Sequence, residues 1–411
     1  MATRRDLINV VSQVSVKFAS VPFGVIMIGL GVRHLSGPEG YVLLTTAGYI
    51  LFSSLLQLGL GYYNMRRLAH QCASGGDITA LPDVRGAFFL IFGTTSIAQA
   101  ILLVLAVIGL VPWITMPLSV IVLANVWAAV ADHFRMAVGE SMKTNSLLLL
   151  AYLICTLLMF TVIWSGHPHP ALVILAALGP TYIETLLSFA LLMRRADFRE
   201  LISPRNPAEF NVAIRGGLPM LLFSAGYLGM LNVALVGQLL PAYPRLSLGS
   251  LACLRLMTSG ANAFYFILQP LGPIILRVRY RGTVASFRRA TLILFVTASV
   301  IAIGAALIFS IWGPQLVRLW LGHVTVSGEM AQRWGFFSAG ILLLLTLTFF
   351  CQITSRPMMA AASLISGIIA ALLLPLLRPW VSAEAMTFLA ISVALAVALP
   401  GVVAAVRDAS V

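Results

Sequence analysis

Charge is what this chain has least of. Only 9% of its 411 residues are Asp, Glu, Lys or Arg, and thirteen of those are acids. A soluble domain carries roughly 25% charge, so an ordinary water-soluble fold is excluded. Histidine is nearly as scarce. The six, His34, His70, His133, His167, His169 and His323, are scattered over loop and span ends; only the HPHP pair at 167–170 is close, two loop histidines are weak evidence for a metal, and no H-E-x-x-H forms. The four cysteines, Cys72, Cys155, Cys253 and Cys351, have neither metal nor disulfide spacing and read as small apolar residues. No Gly-rich phosphate loop ending in Lys-Ser/Thr occurs, which removes a built-in ATPase. No Ser/His/Asp set is present either. The chain is read as a non-enzyme with no cofactor and no metal.

What fills the space is apolar. Hydrophobic residues make up 60% of the chain and the mean hydropathy is +0.99. Runs of about 20 apolar residues recur from end to end, each long enough to cross a bilayer as a helix. A β-barrel would instead show alternating segments of about ten residues. The expectation is an all-α polytopic membrane protein. Twelve spans are predicted, near 8–32, 41–64, 86–110, 114–136, 144–165, 169–193, 213–239, 247–276, 290–312, 335–353, 357–377 and 384–406. Gly179-Pro180 should bend or break the sixth, and Pro270 with Pro273 should kink the eighth. The opening "MATRRD" resembles the start of a signal peptide, but the run after it is too long and lacks a small-residue cleavage site, so the first span is expected to stay.

The formal charge of +13 would suit a nucleic-acid binder, but its placement argues against one. If the N-terminus is inside, inner loops and tails hold nineteen of the 26 lysines and arginines, outer loops hold five, and Lys17 and Arg255 lie inside spans. The positive-inside rule then puts both termini in the cytoplasm. The basic excess reads as topology and as contact with anionic membrane lipids, not nucleic acid.

One pattern is written twice. "SLLQLGLGYYNMRRLAH" at 54–70 and "FILQPLGPIILRVRYRG" at 266–282 each run Leu-Gln, Leu-Gly, an apolar turn, then arginines. Six spans precede residue 200 and six follow, so the repeat is parallel. Two six-helix lobes are expected, 1–193 and 213–411, joined by a basic cytoplasmic linker at 194–212. Transporters built from parallel repeats hold substrate between the repeats.

A charged group at the bilayer centre costs roughly 3 kcal/mol on insertion scales and usually faces a cavity or a partner. Lys17 in span 1, Glu184 in span 6 and Arg255 in span 8 are the clear cases, with Asp132 near the inner end of span 4. Helical spacing puts Arg255, Thr258, Ser259, Asn262, Tyr265 and Gln269 on one stripe, and Thr46, Tyr49, Ser53, Gln57, Gly61 and Asn64 on another. Thr181, Glu184, Thr185 and Ser188 form a third. If spans 1, 2, 7 and 8 line a central cleft, Lys17 and Arg255 make it positive, with Arg33 at the outer mouth and Arg66 at the inner. Such a cleft attracts an anion such as phosphate, which Arg grips with two donors and Lys meets as a point charge. The alternative is structural. Lys17 or Arg255 pairs with Glu184 or Asp132, Lys17 snorkels to the inner face, and the amides join helices.

The first-lobe opening, with "GPEGY" at 37–41 and "LGLGYYNMRR" at 58–67, resembles the start of oligosaccharide and polysaccharide flippases, the O-antigen (Wzx-type) translocases of the MOP exporter superfamily. The second lobe departs from that pattern, with "PAYPRLSLGSL" after its first span. The resemblance implies a MATE-like fold and a carrier that flips a polyprenyl-(pyro)phosphate-linked oligosaccharide to the outer leaflet by alternating access. It makes Lys17 and Arg255 the phosphate contacts. Gln57, Asn262, Tyr265 and Gln269 would meet the sugar, and Glu184 or Asp132 are ion-coupling candidates. Expected partners are the lipid-linked substrate, membrane lipids and other polysaccharide-assembly proteins. Two further readings stand beside it: a multidrug or cation antiporter of the same superfamily, and a membrane polysaccharide polymerase. Outer loops that are mostly under ten residues, with a longest of about 313–334 that holds one acid, Glu329, leave a polymerase little room for chemistry.

Overall fold

The computed structural model describes residues 22–49, 77–109, 140–166, 168–203, 208–237, 246–268, 283–354, 357–377 and 382–408, with Val16, Ile275 and scattered positions in 64–71 and 120–138. Every regular element among them is helical. Contact density separates two compact units, Met1–Leu221 and Leu222–Val411.

The first unit holds α1 (22–34), α2 (Gly37–Tyr49), α3 (Pro82–Val107), α4 (Ser141–Trp164), α5 (Pro170–Leu178), α6 (Pro180–Leu192), α7 (Ala196–Leu201) and the start of α8 (Ala208–Leu231). The stretch expected to be an outer loop at 37–41 is the first turn of α2. The Ser36 amide and hydroxyl both donate to Glu39 Oε2, at 3.0 and 2.7 Å, the reciprocal arm of a capping box. Pro82 opens α3, where a missing N–H costs no hydrogen bond. The expected break in the sixth span is present: α5 and α6 meet at 63° across Gly179. A Cβ there would lie 2.2 Å from the Leu175 carbonyl oxygen. Pro180, with no N–H, cannot continue the ladder. Residues 194–212, read as linker, contain α7 and the first residues of α8.

The core of this unit near α3 is aromatic. Phe92 meets Trp127 and Phe189 edge to face and Trp127 tilts against Phe189, at centroid distances of 4.9 to 5.7 Å, and Phe198 packs against Phe88, Phe134 and Phe189. The Trp127 Nε1–H donates to Thr95 Oγ1 at 3.0 Å. Arg195 ties this core to polar neighbours. It pairs with Glu140 at 3.0 Å and Asp197 at 2.6 Å, and its guanidinium lies 5.3 Å from the Phe134 ring centre. The hydrogen bond from Arg195 holds the Asp197 carboxyl below its ordinary range.

The second unit holds the rest of α8, then α9 (Val233–Gly237), α10 (Leu248–Leu268), α11 (Val284–Leu321), α12 (Gly328–Ile353), α13 (Pro357–Leu377) and α14 (Ala383–Asp408). Small residues set its packing. A Cβ on Gly226 would lie 2.7 Å from Leu364 Cβ, and one on Gly367 would lie 2.3 Å from the Ala390 carbonyl oxygen. The Ser363 hydroxyl donates to the Ala394 carbonyl at 2.7 Å. Close approach with side-chain hydrogen bonds between helices is how helices associate where lipid removes the hydrophobic drive.

The longest expected outer loop, 313–334, is not a loop. Helix α11 runs 38 residues to Leu321 and α12 begins at Gly328. Gly313, Val317 and Leu321 form a buried stripe one turn apart, and a Cβ on Gly313 would lie 2.8 Å from Ala331 Cβ. Packing against α12 therefore carries the helix past the window that hydropathy picks out. The Ser327 hydroxyl then caps α12 by accepting from the Met330 amide at 3.1 Å. Five described helices are long and apolar enough to cross a membrane, and six if the bent α5–α6 pair is one span.

Candidate functional site

Helices α8 and α10 run antiparallel in the second unit and are joined by two polar rungs. The Tyr227 hydroxyl donates to Asn262 Oδ1 at 2.7 Å, and Arg255 Nη2 donates to Asn232 Oδ1 at 2.5 Å. Arg255 and Asn262 are seven residues apart on α10, which is two helical turns on one face. Arg255 is 4% exposed and Asn232 fully buried. Asn232 occupies the break between α8 and α9. Its Nδ2 donates to the Leu228 carbonyl at 3.0 Å. Because a guanidinium only donates, the amide oxygen must face Arg255 and the amide nitrogen the backbone. A hydrogen bond to a charged group contributes about 1.5–3 kcal/mol, so this rung fixes Arg255 within its helix. The Thr258 hydroxyl turns back to the Arg255 carbonyl at 3.0 Å.

The first unit buries a different set. Glu184, Thr185 and Ser188 form one buried stripe on α6, as their spacing predicts, and Glu184 is 2% exposed. The Thr185 hydroxyl lies 2.7 Å from the Ala124 carbonyl and 2.6 Å from that of Thr181. Arg135, at the inner end of the expected fourth span and counted with the inner basic residues, is buried and donates to the Ser188 carbonyl at 3.4 Å. Arg85, expected in an inner loop, is in the first turn of α3. It forms a buried ion pair with Glu209 of α8 at 2.8 Å and donates to the Thr79 carbonyl at 2.5 Å. Nearby, Arg67 pairs with buried Asp83 at 2.7 Å.

Of the residues singled out from sequence, Arg255 and Asn262 share one face of α10. Tyr265 lies farther along the same helix. Arg33 is exposed at the end of α1. Lys17, Gln57, Arg66, Asp132 and Gln269 lie outside the described residues. Sequence reasoning passed over Asn232 and Tyr227. The signal for Asn232 was available: one amide in the apolar run "GMLNVALVG", in the span that precedes Arg255.

No protein-family model matches the chain, and no curated protein matches it. Solved structures do. The eukaryotic MATE transporter AtDTX14 aligns with a TM-score of 0.57 at 16% identity, over 97% of this chain and 96% of that one. An inward-facing multidrug resistance MATE family transporter of the MOP superfamily gives 0.58 at 14%, over 95% and 94%. A MOP superfamily transporter from Pyrococcus furiosus, described as having a binding pocket of reverse polarity that suggests a different function, gives 0.58 at 15%, over 97% and 94%. The likeness runs nearly end to end in both partners of each pair, so this chain is a polytopic, all-helical membrane protein with the fold of the MATE transporters.

Proposed function

We propose that the protein is a transporter that flips a polyprenyl-(pyro)phosphate-linked oligosaccharide from the inner to the outer leaflet of the cytoplasmic membrane, for cell-surface polysaccharide synthesis. The observation that carries this reading is Arg255, a guanidinium buried on α10 and oriented by the Asn232 amide at the break after α8. A fixed, buried guanidinium suits a diphosphate, which accepts two parallel N–H donors. It suits a cationic drug poorly. The transporter fold agrees, and so does the sequence resemblance of the first lobe to oligosaccharide flippases. The P. furiosus protein with a reverse-polarity pocket supplies a precedent for this fold serving a different function. In this reading Lys17 and Arg255 meet the phosphates. Arg33 and Arg66 attract the headgroup at the two mouths, and Gln57, Asn262, Tyr265 and Gln269 contact sugar. Membrane lipids and other polysaccharide-assembly proteins are its neighbours.

One observation favours a second reading. Glu184 is a carboxyl buried in a span of the first unit, and a multidrug antiporter of this fold needs a buried acid to take cations. Glu184, and Asp132 beside it in the proposal, are the ion-coupling candidates under either reading. Depleting the protein separates the two. Lipid-linked oligosaccharide trapped on the cytoplasmic leaflet supports the flippase. Normal arrival at the outer leaflet together with new sensitivity to cationic drugs overturns it in favour of the antiporter.

A further inference from the structure

We infer that the exposed face of α14 holds one anionic phospholipid, with an acyl chain in a groove along the helix and its phosphate on Arg407. The site does not depend on what the transporter carries. Helix α14 is apolar enough to cross a membrane over Glu384–Ala404, and one of its faces is fixed by protein. The Ser363 hydroxyl of α13 donates to the Ala394 carbonyl at 2.7 Å, and a Cβ on Gly401 would lie 2.8 Å from Met359 Cε. Another face is open: Leu399 is 52% and Val403 45% exposed. That face carries a groove of about 530 Å³ lined by Ala396, Leu399, Pro400, Val403, Ala404 and Arg407. Its size and its make-up, apolar with one placed polar group, are those of a ligand site.

Length and charge identify the occupant. From Ala396 to Arg407 is about 16 Å along a helix, close to half of the roughly 30 Å hydrocarbon core. The groove therefore has the reach of one acyl chain in one leaflet. Arg407 lies three residues beyond the apolar window, where a spanning helix meets the headgroups. The leaflet is the one at the C-terminal end of α14, the cytoplasmic one by the positive-inside reading. An exposed arginine at that level draws an anionic lipid in preference to a zwitterionic one. Topology and the helix dipole each account for a basic residue near this end. They do not account for its row. Leu399, Val403 and Arg407 follow one another at four-residue spacing along the groove. An arginine one or two positions away would serve topology equally and face off the groove. Arg407 also interacts within the protein. A guanidinium has five N–H donors and a phosphate takes two, so both contacts fit.

Native mass spectrometry of the full-length protein in detergent counts the lipids it keeps after addition of phosphatidylglycerol, or of phosphatidylcholine with the same chains. The native protein should keep one phosphatidylglycerol under activation that strips phosphatidylcholine. Arg407→Gln should lower that retention about fivefold, which is what the roughly 1 kcal/mol per basic residue at a membrane surface converts to. Its thermal midpoint in phosphatidylcholine nanodiscs should match that of the native protein. Ala404→Trp fills the groove and should lower retention too. Arg289→Gln removes another exposed arginine, on α11, and should leave retention as it is. An equal loss in Arg289→Gln would reduce the effect to general surface charge and overturn the site, and so would unchanged retention in Ala404→Trp. Two other occupants have their own signatures, and each overturns the phospholipid. A second copy is shown if Ala404→Trp turns a dimer into a monomer. The carried lipid is shown if polyprenyl phosphate at equal concentration displaces the phosphatidylglycerol. If Ala404→Trp fails to fold, Arg407→Gln read against Arg289→Gln still decides.

Discussion

Two regions, the start of α3 in the first unit and α10 in the second, hold their charged groups differently. Near the start of α3 the first unit pairs charge with charge: Arg85 with Glu209, Arg67 with Asp83, and Arg195 with Glu140 and Asp197. It packs these against a core of aromatic rings. The second unit ties its buried cation, Arg255, to an amide. Its described salt bridge, between Glu329 and Arg333, is exposed. Its helices meet through glycine and serine, with Phe287 and Phe295 of α11 packed on Phe350 of α12. An ion pair cancels its own field, whereas an amide adds no charge beside the cation it holds.

The largest effect that would test this contrast is at Arg85 and Glu209. Removing one partner of a buried pair leaves the other charge stranded, at a cost of about 3–5 kcal/mol. Glu209→Ala should therefore lower the thermal midpoint sharply, and a doubly apolar replacement of both residues should recover most of the loss. If Glu209→Ala unfolds at the native temperature, the first unit is not held by its charges.

A smaller effect should appear in the glycine packing of the second unit. Gly367→Ala places a Cβ against the Ala390 carbonyl and should destabilise by about 1–3 kcal/mol through overpacking. Gly304, on α11, has nothing within 4 Å of its Cβ position, so Gly304→Ala should stabilise by roughly 0.5–1 kcal/mol through helix propensity. Opposite signs in thermal unfolding support close helix contact as the packing device. Equal effects would refute it.

The smallest effect concerns pH. Asp197 titrates below its ordinary value because Arg195 holds the ionised form. Its contribution is therefore present above the unfolded carboxyl value near 4 and is lost as pH falls through the lower folded value. Asp197 is largely solvated, so the effect is small. The thermal midpoint of the native protein should exceed that of Asp197→Asn slightly at pH 7, and the gap should close near pH 3. A gap that persists at pH 3 would mean that Asp197 acts through packing.

Much of the fold was legible in residue order because lipid imposes a simple rule: backbone polar groups in hydrocarbon must be satisfied within the segment, so an apolar run of sufficient length becomes a helix. That rule gave the all-helical class. Gly179-Pro180 gave the break in the sixth span, since a missing N–H and a missing Cβ act locally. Spacing alone placed Glu184, Thr185 and Ser188 on one buried face, and Arg255 and Asn262 on another. Hydropathy could not see that α11 continues to Leu321, because contact with α12 and not apolarity holds its last turns. Nor could it see that Arg85 and Arg135 are buried, since a loop arginine and an arginine paired in space look alike in one dimension. Asn232 was a lone amide in an apolar run until the antiparallel pairing of α8 and α10 set it 2.5 Å from Arg255. Local chemistry fixes where helices form and bend. Which polar groups meet depends on separations of 23 to 124 residues, and only packed helices close those distances.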